Sequence, residues 1–339
     1  MALSLLVNAV LLAIPLGGSV GTLVGIDAHL AATGQKPLFH SDGGDSSSGG
    51  SDGSGSSGGS TGGGSGGNGS TTNDGVTVTR YCESSYGISP PSSGELFTFN
   101  PNQWGVTAST TGGLCMNVTT FNNETYPTKT TAPEWSVTWQ YDVGPETQPV
   151  HAYPNIQVDD VLPLELENMD EIEFALHWTY GVGTTAASTT DETSLNTESL
   201  QCNVAIDMFF DSDKTTAQNS TSAEFEVMVW FARFGASSDP IGYSEGVVTT
   251  HTVNGTTFDL YSGTNSNSQN VLTWIAANTT EEFSGDIYPL ITDLYSLSGS
   301  NYPAKTDYMG IFQFGTEAFS ADTNVTFSVS SLSIDIKKS

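Results

Sequence analysis

The sequence predicts an all-β protein: a sandwich or jelly roll of two antiparallel sheets carrying one outlying helix. Three observations lead there. Beyond residue 76, short runs rich in Val, Thr, Tyr, Trp and Phe alternate with Gly, Asn, Asp, Ser and Pro, the spacing of an antiparallel sandwich. Within it, Glu224-Phe225-Glu226-Val227-Met228-Val229-Trp230-Phe231 alternates cleanly. A strand sends successive side chains to opposite faces, so Phe225, Val227, Val229 and Phe231 share a core-seeking face. Glu224, Glu226, Met228 and Trp230 share the other, a mixture of acid and aromatic that suits the floor of a binding groove. Third, Ser284–Leu297 breaks the pattern: Ile287, Leu290, Ile291, Leu294 and Leu297 recur at helical spacing.

Taken in order, residues 1–26 carry no charged side chain, and Leu3–Leu16 has the length of a signal-peptide apolar core. No Lys or Arg precedes it, so an uncleaved anchor stays open beside a cleaved signal. Residues 27–75 read as a linker, nearly pure Gly, Ser, Asp, Thr and Asn from Ser41 onward, a composition that buries no core. Residues 76–339 form one domain. Its expected strands are Leu96–Asn100, Trp135–Tyr141, Asn155–Val158, Glu173–Tyr180, Asn203–Phe210, Phe225–Ala232, Val247–Val253, Thr256–Tyr261, Val271–Ala276, Gly310–Phe314 and Val325–Ile336. The polar insert Gly183–Ser199 reads as a mobile loop. Ser284 or Asp286 can cap the helix, and Pro289 fits its first turn.

Lys plus Arg number 8 against 37 Asp plus Glu, a net charge of −29. Such a field repels phosphate backbones and anionic membranes, which argues against nucleic acid as a partner. Contact with a membrane is expected only if the N-terminal segment stays uncleaved. Cys82, Cys115 and Cys202 form neither a zinc nor a CxxC pattern, so one disulfide and one leftover thiol are expected of an exported chain. Sequons at Asn68, Asn117, Asn123, Asn219, Asn254, Asn278 and Asn324 fit secretion and glycosylation.

The five histidines are scattered, and no HExxH, GxSxG, GxGxxG or P-loop occurs in context, so neither a metal nor a nucleotide is expected. Carboxylates remain. Glu226 shares its strand face with Met228 and Trp230. Gln313, Gly315 and Glu317 alternate with Phe312 and Phe314. Asp207 stands among Ala205, Ile206, Met208 and Phe209. A carboxylate set among apolar neighbours is unfavourable unless paired or functional, and two facing carboxyls are what glycoside hydrolysis needs. Six tryptophans, at 104, 135, 139, 178, 230 and 274, offer flat faces that stack on sugar rings or fill a core.

Six strings appear in order: Asn102-Gln103-Trp104-Gly105; Trp135 to Tyr141; Asn203-Val204-Ala205-Ile206-Asp207-Met208-Phe209; Glu226-Val227-Met228-Val229-Trp230; Asp239-Pro240-Ile241-Gly242; and Gln313-Phe314-Gly315-Thr316-Glu317-Ala318-Phe319. Together they make the chain from Tyr81 to Ile336 resemble glycoside hydrolase family 12. The resemblance implies a concanavalin-like β-jelly roll with one packed helix, cleaving β-1,4-glucans internally with retention, as a secreted monomer without a cofactor. It implies Glu226 as nucleophile, Glu317 as acid/base and Asp207 as the neighbour that hydrogen-bonds and supports the nucleophile. Asn102, Trp104, Met228 and Trp230 then contact substrate, and Trp139 joins them as a stacking face. It also implies a Cys82–Cys115 disulfide, leaving Cys202 free and buried. Ala318 stands where the family has Pro. Cys82-Glu83-Ser84-Ser85-Tyr86 lacks the usual Trp. His151-Ala152-Tyr153 replaces a Lys-Ser-Tyr segment; the last two departures are expected to bear on distal donor subsites. Two other functions stay in view: a xyloglucan-specific endoglucanase, and a non-catalytic glucan-binding wall protein.

Overall fold

The computed structural model describes residues 69–73, 76–90, 97–121 and 126–339. The N-terminal apolar segment, most of the Gly/Ser tract, Asn68 and Asn123 lie outside the described residues. The strands are β1 (Gly69–Asn73), β2 (Val76–Tyr81), β3 (Phe97–Asn100), β4 (Gly112–Phe121), β5 (Trp135–Tyr141), β6 (Asn155–Val158), β7 (Leu164–Glu165), β8 (Met169–Val182), β9 (Gln201–Asp211), β10 (Phe225–Phe234), β11 (Thr249–Val253), β12 (Thr256–Thr264), β13 (Asn270–Ala276), β14 (Glu282–Asp286), β15 (Tyr308–Gly315), β16 (Ala318–Ser320) and β17 (Val325–Lys338). The helices are α1 (Glu192–Thr197) and α2 (Tyr288–Ser296).

Two sheets stack. The smaller runs β1-β2-β4-β5-β17-β8-β14. The larger runs β11-β12-β13-β10-β9-β15-β6-β3, with β16 on β9 and β7 on β15. This is the predicted jelly roll, with one departure from antiparallel pairing: β10 and β13 are parallel. The core lies between the sheets. Phe225, Val227, Val229 and Phe231 point into it from β10, Val204, Ile206, Met208 and Phe210 from β9, and Phe327 and Val329 from β17. Phe174 of β8 stacks on Phe231 across the interface, centroids 5.6 Å apart. Each buried ring of this size contributes on the order of 2–3 kcal/mol.

Four expectations are corrected. β1 falls inside the stretch read as linker; its polar residues Gly-Ser-Thr-Thr-Asn pair along β2, so ladder hydrogen bonds hold what composition alone suggested was coil. The insert Gly183–Ser199 contains α1, because Asp191 accepts from Thr193 N and Ser194 N as an N-cap. The helix expected from Ser284 starts at Tyr288. Ser284 and Gly285 instead pair with Ala175 and Phe174 of β8, and Asp286 Oδ1 accepts from Tyr288 N and Ile172 N at 2.9 Å. Pro289 sits in the first turn as expected, and Leu290, Ile291 and Leu294 face inward. Finally, Trp139 is wholly buried in the sandwich core on the smaller sheet, donating Nε1 to Tyr180 Oη at 2.5 Å. It presents no face to a substrate: a strand that turns Trp135, Val137, Trp139 and Tyr141 the same way satisfies the core with all four.

The Cys82–Cys115 disulfide is formed, and Cys202 is free and buried. Asn254, Asn278 and Asn324 are exposed between strands, whereas Asn117 and Asn219 are half-buried. Among the described residues no helix is long and apolar enough to cross a membrane.

Candidate active site

The alternation that sends Val227 and Phe231 inward turns Glu226, Met228 and Trp230 onto the outer face of the larger sheet. Register assembles the site. Met228 lies directly opposite Asp207 of β9 and beside Thr273 of β13. Asp207 in turn lies opposite Gln313 of β15. Glu226 is one step along, opposite Phe209. A bulge between Trp230 and Ala232 twists the end of β10, as bulges beside sites often do. Trp230 belongs to a small cluster with Ala205, Met228, Ile241 and Val271. It is fully covered, its Nε1 directed at Met228 Sδ, so, against the expectation of substrate contact, it presents no surface to a ligand and packs within this cluster. Glu224, just before β10, is exposed.

Glu317 follows β15 after Gly315 and Thr316. Gly315 is required there, because a Cβ would meet Pro154 O at 2.1 Å. Thr316 Oγ1 donates to Asn203 O at 2.5 Å. Asn203, opposite Arg233 on β9, accepts from Glu317 N through Oδ1 at 2.9 Å and donates Nδ2 to Glu317 Oε2. Glu226 Oε2 accepts from Asn265 Nδ2 at 3.1 Å. Asn265 is itself fixed by Gln269, whose Nε2 donates to Ser220 O and Ala223 O.

Asp207, Glu226 and Glu317 are all buried, and no Lys or Arg is among the groups that perturb them. Burial pushes the Glu317 carboxyl up to about 7, against the Asn203 donor that favours its charged form. Burial and then the neighbouring Glu317 charge raise Glu226, while Asn265 opposes. Asp207 is raised well above the ordinary range by burial and then by both glutamates. Three carboxyls this close cannot all be ionised near neutrality, so protons are shared among them. Tyr153, wholly buried with its hydroxyl donating to Ala205 O at 3.1 Å, feels all three charges. Burial first, then those charges, keep its phenol protonated.

Asn102 takes a left-handed turn (φ 41°), tolerable for Asn, and accepts from Tyr153 N at 3.0 Å. Its Nδ2 and the Nε1 of half-buried Trp104 are buried donors without a protein acceptor. A cavity of about 300 Å³ opens beside Phe319, two residues past Glu317, walled by Val143, Pro149, Pro240, Ile241 and Tyr243. No group of His, Cys, Asp and Glu among the described residues is arranged to hold a metal ion. The arrangement brings together two glutamates, each held by an amide donor, beside a third buried carboxyl. Asn203, Asn265 and Tyr153 were not singled out from sequence. Asn203 stands 114 positions from its partner, and the hydrophobic pattern around it reports only a strand. The segment His151-Ala152-Tyr153 lies against the strand that follows Glu317, bridged Ala152 to Ala318.

The family model described as "Glycosyl hydrolase family 12" matches residues 95–337. Xyloglucan-specific endo-β-1,4-glucanase A of Emericella nidulans is 28% identical over 260 residues, 77% of this chain and 93% of that protein. A probable xyloglucan-specific endo-β-1,4-glucanase A of Aspergillus clavatus is 30% identical, covering 72% of this chain and 87% of that one. Among solved structures, Trichoderma harzianum endoglucanase 3 superposes with a TM-score of 0.60 at 25% identity, over 77% of this chain and 98% of that one. A family 12 xyloglucanase from Bacillus licheniformis shares the fold, with a TM-score of 0.55 at 16% identity, over 76% of this chain and all of that one.

Proposed function

The chain belongs to glycosyl hydrolase family 12 and is an endo-β-1,4-glucanase, and we propose that Glu226, Glu317 and Asp207 carry its reaction by retaining double displacement. The supporting observation is the burial of three carboxyls on one sheet face, two of them each held by an amide donor. A Glu226 oxygen attacks the anomeric carbon of an internal glucosyl unit. The bond from that carbon to the glycosidic oxygen breaks, and Glu317 passes its proton to the departing oxygen. Water then attacks the same carbon, giving its proton to Glu317 and freeing the Glu226 carboxylate. Burial raises both carboxyls, Glu317 to about 7 and Glu226 to about 8, each opposed by its amide donor, so the pair shares protons. The first step draws on the state with the proton on Glu317 and the charge on Glu226. Asp207, directly across from Met228, does not make the expected hydrogen bond to Glu226, its Oδ1 being without a partner, and acts on Glu226 through charge; Asn102, Trp104 and Met228 contact the glucan.

Within this activity, xyloglucan is the favoured substrate. The cavity beside Phe319 gives a branch sugar space beyond a linear chain, and the curated relatives cited carry that specificity in their names. The enzyme is proposed to be secreted, with its Gly/Ser tract as a spacer; exposed sequons at Asn254, Asn278 and Asn324 support export. Reducing ends released from carboxymethylcellulose and from tamarind xyloglucan, assayed side by side, test the reading. Faster release from xyloglucan is expected. Faster release from carboxymethylcellulose would sink the substrate assignment, and release from neither would point to a binding protein.

A further inference from the structure

His151 is nearly enclosed, and its ring is engaged at Nδ1, at one face and at one edge. Its main-chain N donates to Ala318 O at 2.9 Å, while Ala318 N donates to Ala152 O at 2.9 Å, a two-bond bridge to β16. Its Nδ1 lies 2.7 Å from Phe319 O. A carbonyl only accepts, so Nδ1 carries the proton. One face of the ring stacks on Tyr141, centroids 4.7 Å apart and planes within 11°. Tyr141 is held from behind: its hydroxyl donates to Gln103 Oε1 at 2.7 Å, and Gln103 Nε2 donates to the carbonyls of Cys82 and Glu83. At its edge, a Cβ on Gly144 would sit 3.1 Å from Cε1. The ring is thus a spacer between the disulfide-tethered segment and the main chain two residues past Glu317. Phe319 and Gly144 also wall the cavity described above.

We propose that His151 is a positioning residue for the general-acid step: its Nδ1–H fixes the Phe319 carbonyl, and with it the reach of Glu317 toward the leaving oxygen. Asn203 ties the Glu317 segment from the sheet side and residues 151–152 tie it from the opposite side; without the imidazole the segment can pivot about Asn203. The inference rests on Glu317 being the acid/base.

Leaving-group chemistry separates positioning from mere structural support. A dinitrophenolate departs without protonation, whereas phenolate or a sugar alkoxide needs the acid. His151→Phe keeps the stacked ring and drops the donor; His151→Asn keeps a donor. For His151→Phe, kcat on glucan and on phenyl cellobioside should fall roughly ten- to a hundredfold with KM little changed, while kcat/KM on dinitrophenyl cellobioside stays within about twofold. His151→Asn should recover most of the loss. Equal losses on both aryl substrates, or none on either, in a protein with a cooperative thermal transition would overturn the proposal. Should His151→Phe not fold, Tyr141→Phe reads the same comparison, because it frees the stacked ring from behind and leaves the donor in place. It is expected to slow phenyl cellobioside selectively, and the absence of that selectivity would equally overturn the proposal. Glu317→Gln, run alongside, must show a larger dependence on the leaving group; its absence there would reject the acid/base assignment and not the part given to His151.

Discussion

Asn203 grips Glu317 by both ends of its carboxamide: Oδ1 accepts from the Glu317 main-chain N at 2.9 Å, and Nδ2 donates to carboxyl oxygen Oε2. The first contact places the residue, and the second acts on its proton. A donor to a carboxylate favours the charged form, so Asn203 opposes the rise that burial imposes. Asn203→Ala should therefore lower kcat and move the basic limb of the kcat/KM profile above its expected place near pH 7. A limb that moves down, or not at all, would contradict this account of the contact.

Glu226→Gln removes the proposed nucleophile at nearly constant shape. Activity is expected to fall about a thousandfold or more, with glucan affinity, measured by calorimetry, little altered. Near wild-type turnover in this variant would remove Glu226 from its assigned part.

Stability should fall as pH rises. Asp207, Glu226 and Glu317 all have carboxyls raised in the folded state, so between the unfolded and folded values the native state holds more protons than the unfolded chain. The stabilisation is then complete below about pH 4 and is lost toward pH 7 and above. Thermal melts of the wild type should show a lower Tm at pH 8 than at pH 5. The Glu226→Gln, Glu317→Gln double variant should show a shallower decline; parallel slopes would be inconsistent with this cause.

Replacing both Cys82 and Cys115 by Ser opens a loop spanning 33 positions and should reduce unfolding free energy by about 3–4 kcal/mol in the chain-entropy description. Urea titration measures it directly, and an unchanged midpoint would show that the bridge adds nothing.

Trp139→Phe separates core from groove. It loses the bond to Tyr180 Oη and part of a buried indole, so stability should drop by roughly 2–3 kcal/mol. KM on glucan should not change. A KM rise without a stability loss would return Trp139 to the substrate.

Much of this molecule is legible from local pattern. The limits of β5 and β6 coincide with the expected strands, and the inward set on β10 is the one its alternation names. The misreadings have different sources. Gly69–Asn73 has a linker's composition, yet it folds back on the strand that follows it, because the edge of β2 was available. Ser284-Gly285 fits a helical register but joins β8, a partner distant in sequence.

The sequence by itself determined that Glu226 and Met228 share a face opposite Val227 and Val229, since that follows from a period of two along one strand. It also supplied Glu317 and Asp207 as the carboxyls to look for. Only the tertiary structure decided that Trp139 fills the core, that Asn203 holds Glu317 and Asn265 holds Glu226, and that His151 stands behind the Glu317 strand. Alternation is set by neighbouring bonds and can be read in a line. Which face becomes core, and which residues meet across it, depends on sheet order and register among strands up to two hundred positions apart, and no local signal encodes that.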